Sequence, residues 1–490
     1  MFRSTMVVTI LDCYTDEAAG LGVPPYLGTY PRYLFGYFRE QKKEVHYLTI
    51  DDIRLLMLYK NRRPEPSEKQ KTNIYTYNTT GKDVSAILKK TTTLVVILGV
   101  HVPGKYLSAV PGTLREVVPL LKDLRCTKIL TGPALFGTQL EGGKFSERIH
   151  SAGFDEESFD FSYDELRRYV VLGAAILKEI PDLRVLEIET GKGCAYGRCS
   201  FCTEPLKSSV AYRKTEDICA EIRALYDAGA RYFRLGKQTC FYSFPEPIEL
   251  LRKIRSECPD IKVLHIDNVN PRHVIGSRGE EITKALVKYA TGGNVAAFGV
   301  ESFDPEVIEQ NALNCRPDIA FKAIEQLNRY GAGQSPNGMP MFLPGINIIF
   351  GLIGETKQTH TENIKGLQHI LDEKWLIRRI NVRQAAIFPE TPLGKKAGNK
   401  FVRKNRQHYW KWRNDIRQNI DVVMLKRLVP VGTILSDVRM EIYDGMNTFG
   451  RQIGTYPLIV GVEKKRLELK TFYTIRVVGH MKRSIVGEPV

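Results

Sequence analysis

Three cysteines in one short segment have the clearest capacity for chemistry in this chain. Cys194, Cys199 and Cys202 fall within nine residues, and glycines lie before and between them at 191, 193 and 197. Thiolates ligate iron–sulfur clusters, and glycines let the backbone wrap closely around such a group. A four-iron cubane held by three thiolates keeps one iron open. The spacing therefore predicts a [4Fe-4S] site at which a substrate or cofactor can bind iron.

Zinc is the alternative metal for this segment. A structural zinc site takes four protein ligands, usually in two close pairs, and a second pair is missing here. Cys219 or Cys240 could supply a fourth ligand, although neither belongs to a Cys-x2-Cys pair. The six cysteines outside the segment are scattered along 490 residues, which favours buried thiols in a reducing compartment over a disulfide framework.

The elements that position the cysteines follow from the alternation of strand and helix patterns. In residues 1–135, strand patterns at 7–11, 45–49, 94–100 and 128–131 alternate with helical ones, which predicts a Rossmann-like α/β domain. Residues 136–180 are interpreted as a linker. From 181 to 397, six strand patterns alternate with helices, which predicts a partial (β/α)6 barrel with reactive groups at the carboxyl ends of its strands. The cysteine segment follows the first of these strands.

Two further parts are predicted after the barrel. Residues 398–424 form a charged, aromatic connecting helix with Trp410 and Trp412, and residues 425–490 contain short strands with glycine turns, as in a small β barrel. The overall prediction is an α/β chain with three domains. The longest apolar run, 94–100, is too short to cross a bilayer, and no signal peptide is evident, so a cytoplasmic protein without membrane contact is expected.

The cysteine segment resembles the signature of the radical S-adenosylmethionine (SAM) superfamily, with four residues instead of the commonest three between the first two cysteines. Gly351-Leu-Ile-Gly-Glu-Thr356 is similar to a segment common after the fifth strand of that family. The resemblance implies that Cys194, Cys199 and Cys202 ligate the cluster. It also implies that the residues contacting SAM are Phe201, Gly236, Lys237, Gln238, Glu301 and Ser302.

The chemistry implied by the resemblance begins with SAM on the open iron. One electron from the reduced cluster splits the sulfonium, and the resulting 5′-deoxyadenosyl radical takes hydrogen from the substrate. Ferredoxin or flavodoxin is expected as the electron donor. The sequence names no catalytic acid or base.

The N-terminal domain resembles the cobalamin-binding-like domains that precede many radical SAM cores. The nearest match to the Asp-x-His-x-x-Gly motif is Gly99-Val-His101-Val-Pro-Gly104, which lacks the aspartate. His101 is therefore interpreted as a loop histidine, and cobalamin is not expected. Only Cys13 and Cys126 precede the cysteine segment, so the second cluster of tRNA methylthiotransferases is not expected either.

The C-terminal part resembles a TRAM domain, a small RNA-binding barrel. Residues 395–490 contain 20 Lys and Arg against 8 Asp and Glu, and this excess favours an anionic partner. Six basic residues are predicted to face phosphate: Arg451, Lys464, Lys465, Arg466, Lys482 and Arg483. A solvated rim is the alternative interpretation.

The whole layout resembles an archaeal type of radical SAM protein, and the predicted function is modification of tRNA or another structured RNA. Two alternatives remain open. One is a radical SAM enzyme acting on a small molecule or a protein, with or without cobalamin. The other is a non-catalytic RNA-binding protein stabilised by zinc.

Overall fold

The computed structural model describes residues 6–14, 25–62, 81–100, 110–140, 142–148 and 153–490. The chain divides into two compact units. Unit 1 consists of Met1–Leu140, Ser146–Ile188 and Glu216–Tyr232, and unit 2 of Glu141–Phe145, Glu189–Thr215 and Phe233–Val490. No helix within the described ranges combines the length and the apolar composition that crossing a bilayer requires.

Strands are labelled in chain order. The first seven are β1 (Val7–Asp12), β2 (Tyr26–Leu27), β3 (Glu44–Thr49), β4 (Thr93–Ile97), β5 (Thr127–Thr131), β6 (Asp155–Glu156) and β7 (Val185–Glu189). The next eight are β8 (Gly191–Lys192), β9 (Ala211–Tyr212), β10 (Tyr232–Gly236), β11 (Val263–Ile266), β12 (Asn268–Val269), β13 (Asn294–Glu301), β14 (Phe342–Phe350) and β15 (Arg379–Gln384). The last five are β16 (Ile434–Asp444), β17 (Asn447–Gln452), β18 (Ile459–Val462), β19 (Phe472–His480) and β20 (Ser484–Pro489).

Helices are labelled in the same way. The first eight are α1 (Thr29–Glu40), α2 (Ile50–Tyr59), α3 (Val84–Lys90), α4 (Leu114–Leu121), α5 (Pro133–Phe136), α6 (Tyr163–Gly173), α7 (Glu204–Lys207) and α8 (Thr215–Asp227). The remaining ten are α9 (Pro247–Glu257), α10 (Pro271–Val274), α11 (Ser277–Tyr289), α12 (Pro305–Gln310), α13 (Pro317–Gly331), α14 (Lys357–Asp372), α15 (Pro392–Lys396), α16 (Lys400–Lys404), α17 (Arg406–Ile416) and α18 (Val422–Leu428). A π-helical turn, Arg417–Asp421, joins α17 to α18.

Unit 1 contains a parallel five-stranded sheet in the order β3-β1-β4-β5-β6. All six residues of β1 and all five of β4 are buried, as expected for strands covered on both faces. Leu11, Leu94 and Val96 pack with apolar side chains from α2, α3 and α4 in one core cluster. The predicted Rossmann-like α/β domain is therefore present.

The linker predicted over 136–180 is corrected by the structure. This stretch contributes β6 to the edge of the unit 1 sheet, and α6 packs closely on α1. A Cβ on Gly36 would lie 2.0 Å from the carbonyl oxygen of Tyr169, and one on Gly173 would lie 2.5 Å from that of Arg32. These two glycines allow the close helix crossing, because any larger side chain would force the backbones apart.

A buried ion pair also belongs to unit 1. The guanidinium of Arg32 lies 3.0 Å from a carboxylate oxygen of Glu221 on α8, and both side chains are 1% exposed. Arg32 also donates to the carbonyl oxygen of Glu187 on β7. This arginine therefore links α1, α8 and β7 inside the unit.

Six strands of four or more residues alternate with helices before α15, as predicted for the barrel region: β7, β10, β11, β13, β14 and β15. Within unit 2, β12, β13, β14 and β15 form a parallel sheet in that order. Asn381 Nδ2 donates to Asn347 Oδ1 at 3.0 Å, so these side chains share one face, here called the inner face. Ile380 and Val382 of β15 are buried on the opposite face. Arg379 and Arg383 alternate with them and so lie on the inner face.

The last strands of unit 2 close a barrel in the order β16-β17-β18-β20-β19. This C-terminal barrel confirms the predicted small β barrel. Arg451 is corrected: its side chain is fully buried and lies 2.8 Å from Glu441, which also pairs with Arg439. Because its side chain is buried and paired with Glu441, Arg451 cannot face phosphate. The other five residues of the predicted basic set are exposed.

The loop between β17 and β18 joins the C-terminal barrel to the core of unit 2. The backbone N–H of Thr455 donates to His265 Nδ1 at 3.2 Å, and the Tyr456 hydroxyl donates to Asp267 at 2.7 Å. Arg378, directly before β15, donates to the carbonyl oxygen of Tyr456 at 2.6 Å. Gln452 donates to the carbonyl oxygen of Asn337, in the segment before β14, at 2.7 Å. The barrel therefore packs at the amino ends of β14 and β15 and also reaches the carboxyl end of β11.

Candidate active site

The cysteine loop of unit 2 begins where β7 ends and is held at its base by a small hairpin. β8 pairs with β9 in antiparallel fashion, so residues 191–212 leave the sheet and return to the same place. Gly193 has a φ of +80°, and a Cβ there would lie 2.5 Å from the carbonyl oxygen of Ser209. Only glycine fits this position. The predicted close wrapping of the loop is thus present at Gly193.

The three thiols of this loop lie within electrostatic reach of one another. Burial raises the pKa of Cys199 to about 12 and that of Cys202 to about 11, and the other cysteines of the loop raise both further. Each sulfur also accepts a backbone N–H, from Asn314 at Cys199 and from Glu204 at Cys202. Thiols in such surroundings become thiolates when a metal binds, because ligation supplies the missing positive charge. The donor set fits an iron–sulfur cluster.

Asn311 anchors the cysteine loop to two other segments. Its side-chain oxygen lies 2.6 Å from the Ser200 hydroxyl and accepts the N–H of Ile353 at 3.1 Å, while its amide nitrogen donates to the carbonyl oxygen of Ile353 at 2.8 Å. The N–H of Ser200 donates in turn to the carbonyl oxygen of Asn311 at 2.9 Å. Asn311 is fully buried, and the sequence analysis missed it. Its place just after α12 carries no motif that would have marked it.

Residues 236–238 follow β10 and approach the cysteine loop. The N–H of Thr190 donates to the carbonyl oxygen of Gly236 at 3.3 Å, and the hydroxyl of Thr239 donates to that of Gly193 at 2.9 Å. Lys237 has a φ of +68°, a strained conformation for a residue with a side chain. Gln238 is 1% exposed, and neither polar atom of its side-chain amide has a partner among the described residues. A buried amide of this kind calls for a ligand.

Glu301 ends β13 and points toward the same loop. It has a φ of +65° at a bulge in the pairing with β14, and its Oε2 atom is buried without a partner among the described residues. Burial raises the pKa of this carboxyl to about 8, against a smaller lowering by Arg383. Glu301 in turn raises the pKa of the Cys199 thiol. Glu301 does not cap the helix that follows, since Asp304 caps α12.

The two remaining predicted contact residues, Ser302 and Phe201, differ in whether their side chains are already hydrogen-bonded within the protein. The Ser302 hydroxyl accepts the N–H of Asp304 at 3.1 Å and lies 3.4 Å from Asn363 Oδ1, so it is engaged in the turn before α12. Phe201 is half-buried and packs with Cys199 against the apolar cluster around Leu352 and Val402. The structure thus brings Phe201, Gly236, Lys237, Gln238 and Glu301 together around the thiols and holds Ser302 in backbone contacts.

Glu355, in the segment that resembles Gly-Leu-Pro-Gly-Glu-Thr, has a structural position. Its carboxylate accepts the N–H of Gly351 at 2.5 Å and the side-chain amide of Asn405 at 2.7 Å. Burial raises its pKa to about 7, while these hydrogen bonds oppose the rise. Glu355 fastens the start of α17 to the turn after β14.

Comparison with known proteins places this geometry in a family. Residues 188–364 match the model of the Radical SAM superfamily. An uncharacterized protein of Methanocaldococcus jannaschii is 40% identical, over 98% of this chain and 93% of its own. An uncharacterized protein of Archaeoglobus fulgidus is 37% identical, over 98% of this chain and 90% of its own.

Two solved structures align with most of this chain at low identity. The cobalamin-dependent SAM radical enzyme OxsB aligns with a TM-score of 0.50 and 12% identity, covering 84% of this chain and 56% of its own. The radical SAM methyltransferase TsrM from Kitasatospora setae aligns with a TM-score of 0.49 and 14% identity, covering 80% of this chain and 77% of its own. The alternative of a non-catalytic zinc protein is not retained, because the superfamily match spans the cysteine loop and the strands behind it. The chain is a radical SAM enzyme and belongs to the same family as these two archaeal proteins.

Proposed function

We propose that Cys194, Cys199 and Cys202 hold a [4Fe-4S] cluster with one iron open to SAM, and that the enzyme acts on a small molecule. When bound, the cluster and SAM supply a 5′-deoxyadenosyl radical that removes hydrogen from the substrate. The three thiolates hold the cluster, and Phe201 excludes water from one side of it. The observation that carries the proposal is the buried, unpartnered amide of Gln238 beside the thiol loop.

Gln238 and Glu301 are the residues that we assign to polar groups of SAM. A side-chain amide can donate to a carboxylate and accept from an amine, and a carboxylate can accept from an amine or a ribose hydroxyl. Both residues have buried polar atoms without a partner among the described residues. A ligand that pairs with them removes the cost of leaving such groups unsatisfied, which is about 1–3 kcal/mol each.

The position of the C-terminal barrel favours a small substrate over RNA. The barrel packs at the amino ends of β14 and β15 through Gln452 and Tyr456, whereas Glu301 lies at the carboxyl end of β13. The Tyr456 loop is also inserted into the core, where the Tyr456 hydroxyl donates to Asp267. This face of the barrel is therefore occupied by the core and cannot hold an RNA beside the thiols.

RNA remains a second candidate because of one surface of the connecting helices. Trp410 is 58% exposed, and with Arg403, Lys404, Arg406 and Gln407 it lines an open groove of about 450 Å³. An exposed aromatic ring among basic side chains suits a stacked base and its phosphates. Asn405 ties the start of α17 to Glu355 after β14, so this groove lies toward the carboxyl ends of the strands.

A corrinoid on unit 1 is a further candidate cofactor. OxsB is described as cobalamin-dependent. The sheet of unit 1 has the order β3-β1-β4-β5-β6, in which β3 lies on one side of β1 and β4 lies on the other. Sheets of this order bind ligands at the carboxyl ends where the order reverses, here between β1 and β4. His101, interpreted as a loop histidine, lies outside the described residues. A corrinoid absorption spectrum retained through purification would support this cofactor.

The test begins with anaerobic reconstitution and reduction of the full chain with SAM. We expect about four irons per chain and formation of 5′-deoxyadenosine and methionine. The reduced enzyme is then incubated separately with a small-metabolite pool and with tRNA, and deuterium transfer from substrate into 5′-deoxyadenosine is measured with each fully deuterated pool. Label from the metabolites alone supports the small-molecule proposal, label from tRNA replaces it with RNA, and absence of iron or SAM cleavage contradicts both.

A further inference from the structure

A group of arginines from four segments of unit 2 meets where the C-terminal barrel joins the core. We call it the arginine seam. Its members are Arg378, Arg379 and Arg383 at β15, Arg413 on α17, Arg417 in the π-helical turn and Arg483 before β20. Arg483 lies within electrostatic reach of Arg378, Arg379, Arg413 and Arg417.

Acidic groups do not balance this positive charge. Asp421 is the acidic residue that acts on Arg379, Arg413 and Arg417, and it lies in the same π-helical turn as Arg417. Among the described residues, the seam arginines make no ion pair within 4 Å. The Nε atoms of Arg378 and Arg413 are buried and have no partner there. Several guanidinium groups thus have donors left for a ligand.

The pKa values of the seam residues agree with a shortage of negative charge. Burial, followed by neighbouring arginines, lowers the pKa of Arg378, Arg379 and Arg417 to about 10. Burial raises the pKa of Asp421 to about 6, against the lowering by four arginines. Like charges held close together repel one another unless a counter-charge pairs with them. An anion with several oxygens relieves both the repulsion and the unpaired donors.

The seam is preorganised on one side. The guanidinium of Arg379 lies over the ring of Tyr456, 4.3 Å from its centroid, and the Tyr456 hydroxyl is fixed by Asp267. Arg413 lies 5.3 Å from the ring centroid of Trp410. Stacked guanidinium groups keep their planes and donors fixed, which favours bidentate contact with phosphate oxygens.

The seam also reaches toward the candidate active site. Arg379 and Arg383 lie on the inner face, four residues apart along β15, which is about 13 Å at 3.3 Å per residue. Arg383 acts electrostatically on both Arg379 and Glu301. A ligand anchored near Arg379 and Arg417 can therefore extend along the inner face toward the end of β13.

We infer that the arginine seam binds a phosphate or diphosphate group of the substrate, whose remainder extends along the inner face toward Glu301. This inference rests on the proposed function, since it assumes that the substrate is a small molecule. It assigns a substrate class: a phosphorylated metabolite long enough to reach from the seam to the end of β13. Arginine is suited to this role because it remains charged even after burial lowers its pKa to about 10.

The test measures binding of inorganic diphosphate to the full reconstituted enzyme by titration calorimetry at constant ionic strength, with chloride as the reference salt. We expect saturable binding of one diphosphate. Arg417→Gln and Arg483→Gln should each weaken it about tenfold, the effect of losing one charge-assisted pair. Arg476→Gln is the matched control, because Arg476 is exposed on the same barrel and pairs with Glu488. It should bind diphosphate like the unaltered enzyme.

Several outcomes would overturn the inference. Diphosphate binding no stronger than expected from ionic strength, or equal binding by Arg417→Gln, Arg483→Gln and the unaltered enzyme, contradicts it. Displacement of diphosphate by tRNA but not by phosphorylated sugars assigns the seam to a polynucleotide and also overturns it. SAM cleavage by the unaltered enzyme is measured in parallel. Cleavage without diphosphate binding refutes the seam alone, whereas diphosphate binding without cleavage refutes the proposed function.

Discussion

The two ends of the unit 2 core strands carry buried polar groups of opposite kinds. At the carboxyl ends, thiols and the Glu301 carboxyl are held in their neutral forms by burial. At the seam, arginines remain charged with one aspartate to balance them. Both ends leave buried atoms without a protein partner among the described residues, at Gln238 and Glu301 in one and at Arg378 and Arg413 in the other. The difference agrees with the two groups that we propose, an iron–sulfur cluster with SAM at one end and an anion at the other.

The largest effect is expected from the ligands of the carboxyl-end site. Cys199→Ala should reduce the iron content from about four per chain to below one and abolish formation of 5′-deoxyadenosine, because two thiolates cannot retain the cubane. Iron analysis and chromatography of the products measure this. Cys126→Ser is the control, since Cys126 is a half-buried cysteine of unit 1 and should leave both quantities unchanged. Full iron content in Cys199→Ala would contradict the assigned ligand set.

Asn311 tests whether the cysteine loop depends on its anchor. Asn311→Leu leaves the Ser200 hydroxyl and the peptide groups of Ile353 without partners, so the unfolding free energy should fall by about 3–5 kcal/mol. The cluster's electron paramagnetic resonance signal should also change, because the loop shifts. Arg32→Met in unit 1 is the control: it should lose a similar amount, about 3–5 kcal/mol, by breaking a buried ion pair, yet keep the signal. An unchanged signal in Asn311→Leu would assign Asn311 to stability alone.

Replacing Gln238 distinguishes a contact with SAM from a role in packing alone. Gln238→Leu should raise the KM for SAM about tenfold, while the SAM-free protein keeps its stability or gains some, because a buried amide without a partner is removed. Gln326→Leu is the control, since Gln326 donates to the carbonyl oxygen of Val274. That variant should lose stability and keep the KM. If the Gln238→Leu protein is less stable and its KM for SAM is unchanged, Gln238 does not contact SAM.

The last effect concerns stability alone and leaves activity unchanged: the pH dependence of unfolding that comes from Glu355. Its pKa is about 7 in the folded chain against the usual 4.5, so the folded state keeps a proton that the unfolded state releases first. The unfolding free energy should therefore fall as pH rises from about 4.5 to about 7, by up to roughly 3 kcal/mol, and level off above. Denaturant titrations of Glu355→Gln should show a smaller fall over this range. Identical slopes in both proteins would show that Glu355 is ionised when folded.

Much of the fold could be predicted because it depends on local pattern. The buried runs of β1 and β4, the six strand–helix alternations and the short strands after residue 430 all appear where their periodicity placed them. The spacing of Cys194, Cys199 and Cys202 identified the loop. The interpretation of residues 136–180 as a linker missed β6, because this strand has only two residues and shows no periodic pattern.

The contacts that complete the site could not be predicted, since they join residues far apart in the chain. Asn311 meets Ser200 across 111 residues and Tyr456 meets Asp267 across 189. The arginine seam draws its members from 378 to 483, and nothing local distinguishes them from solvated arginines. The prediction that Arg451 faces phosphate was wrong because a basic residue in a basic domain was assumed to be exposed. The direction of its side chain depends on the register of β17 with β16, which the sequence does not show.

The insertion of Tyr456 into the core has a consequence for biosynthesis. Asp267 and His265 are made 189 residues before the loop that pairs with Asp267. At 5–20 residues per second, the ribosome needs roughly 10–40 s to synthesise that interval. During this time Asp267 and His265 lack their partners from the C-terminal barrel, while the cysteine loop has already emerged. The nascent chain can thus present its three thiols to iron–sulfur assembly factors well before the catalytic core is closed.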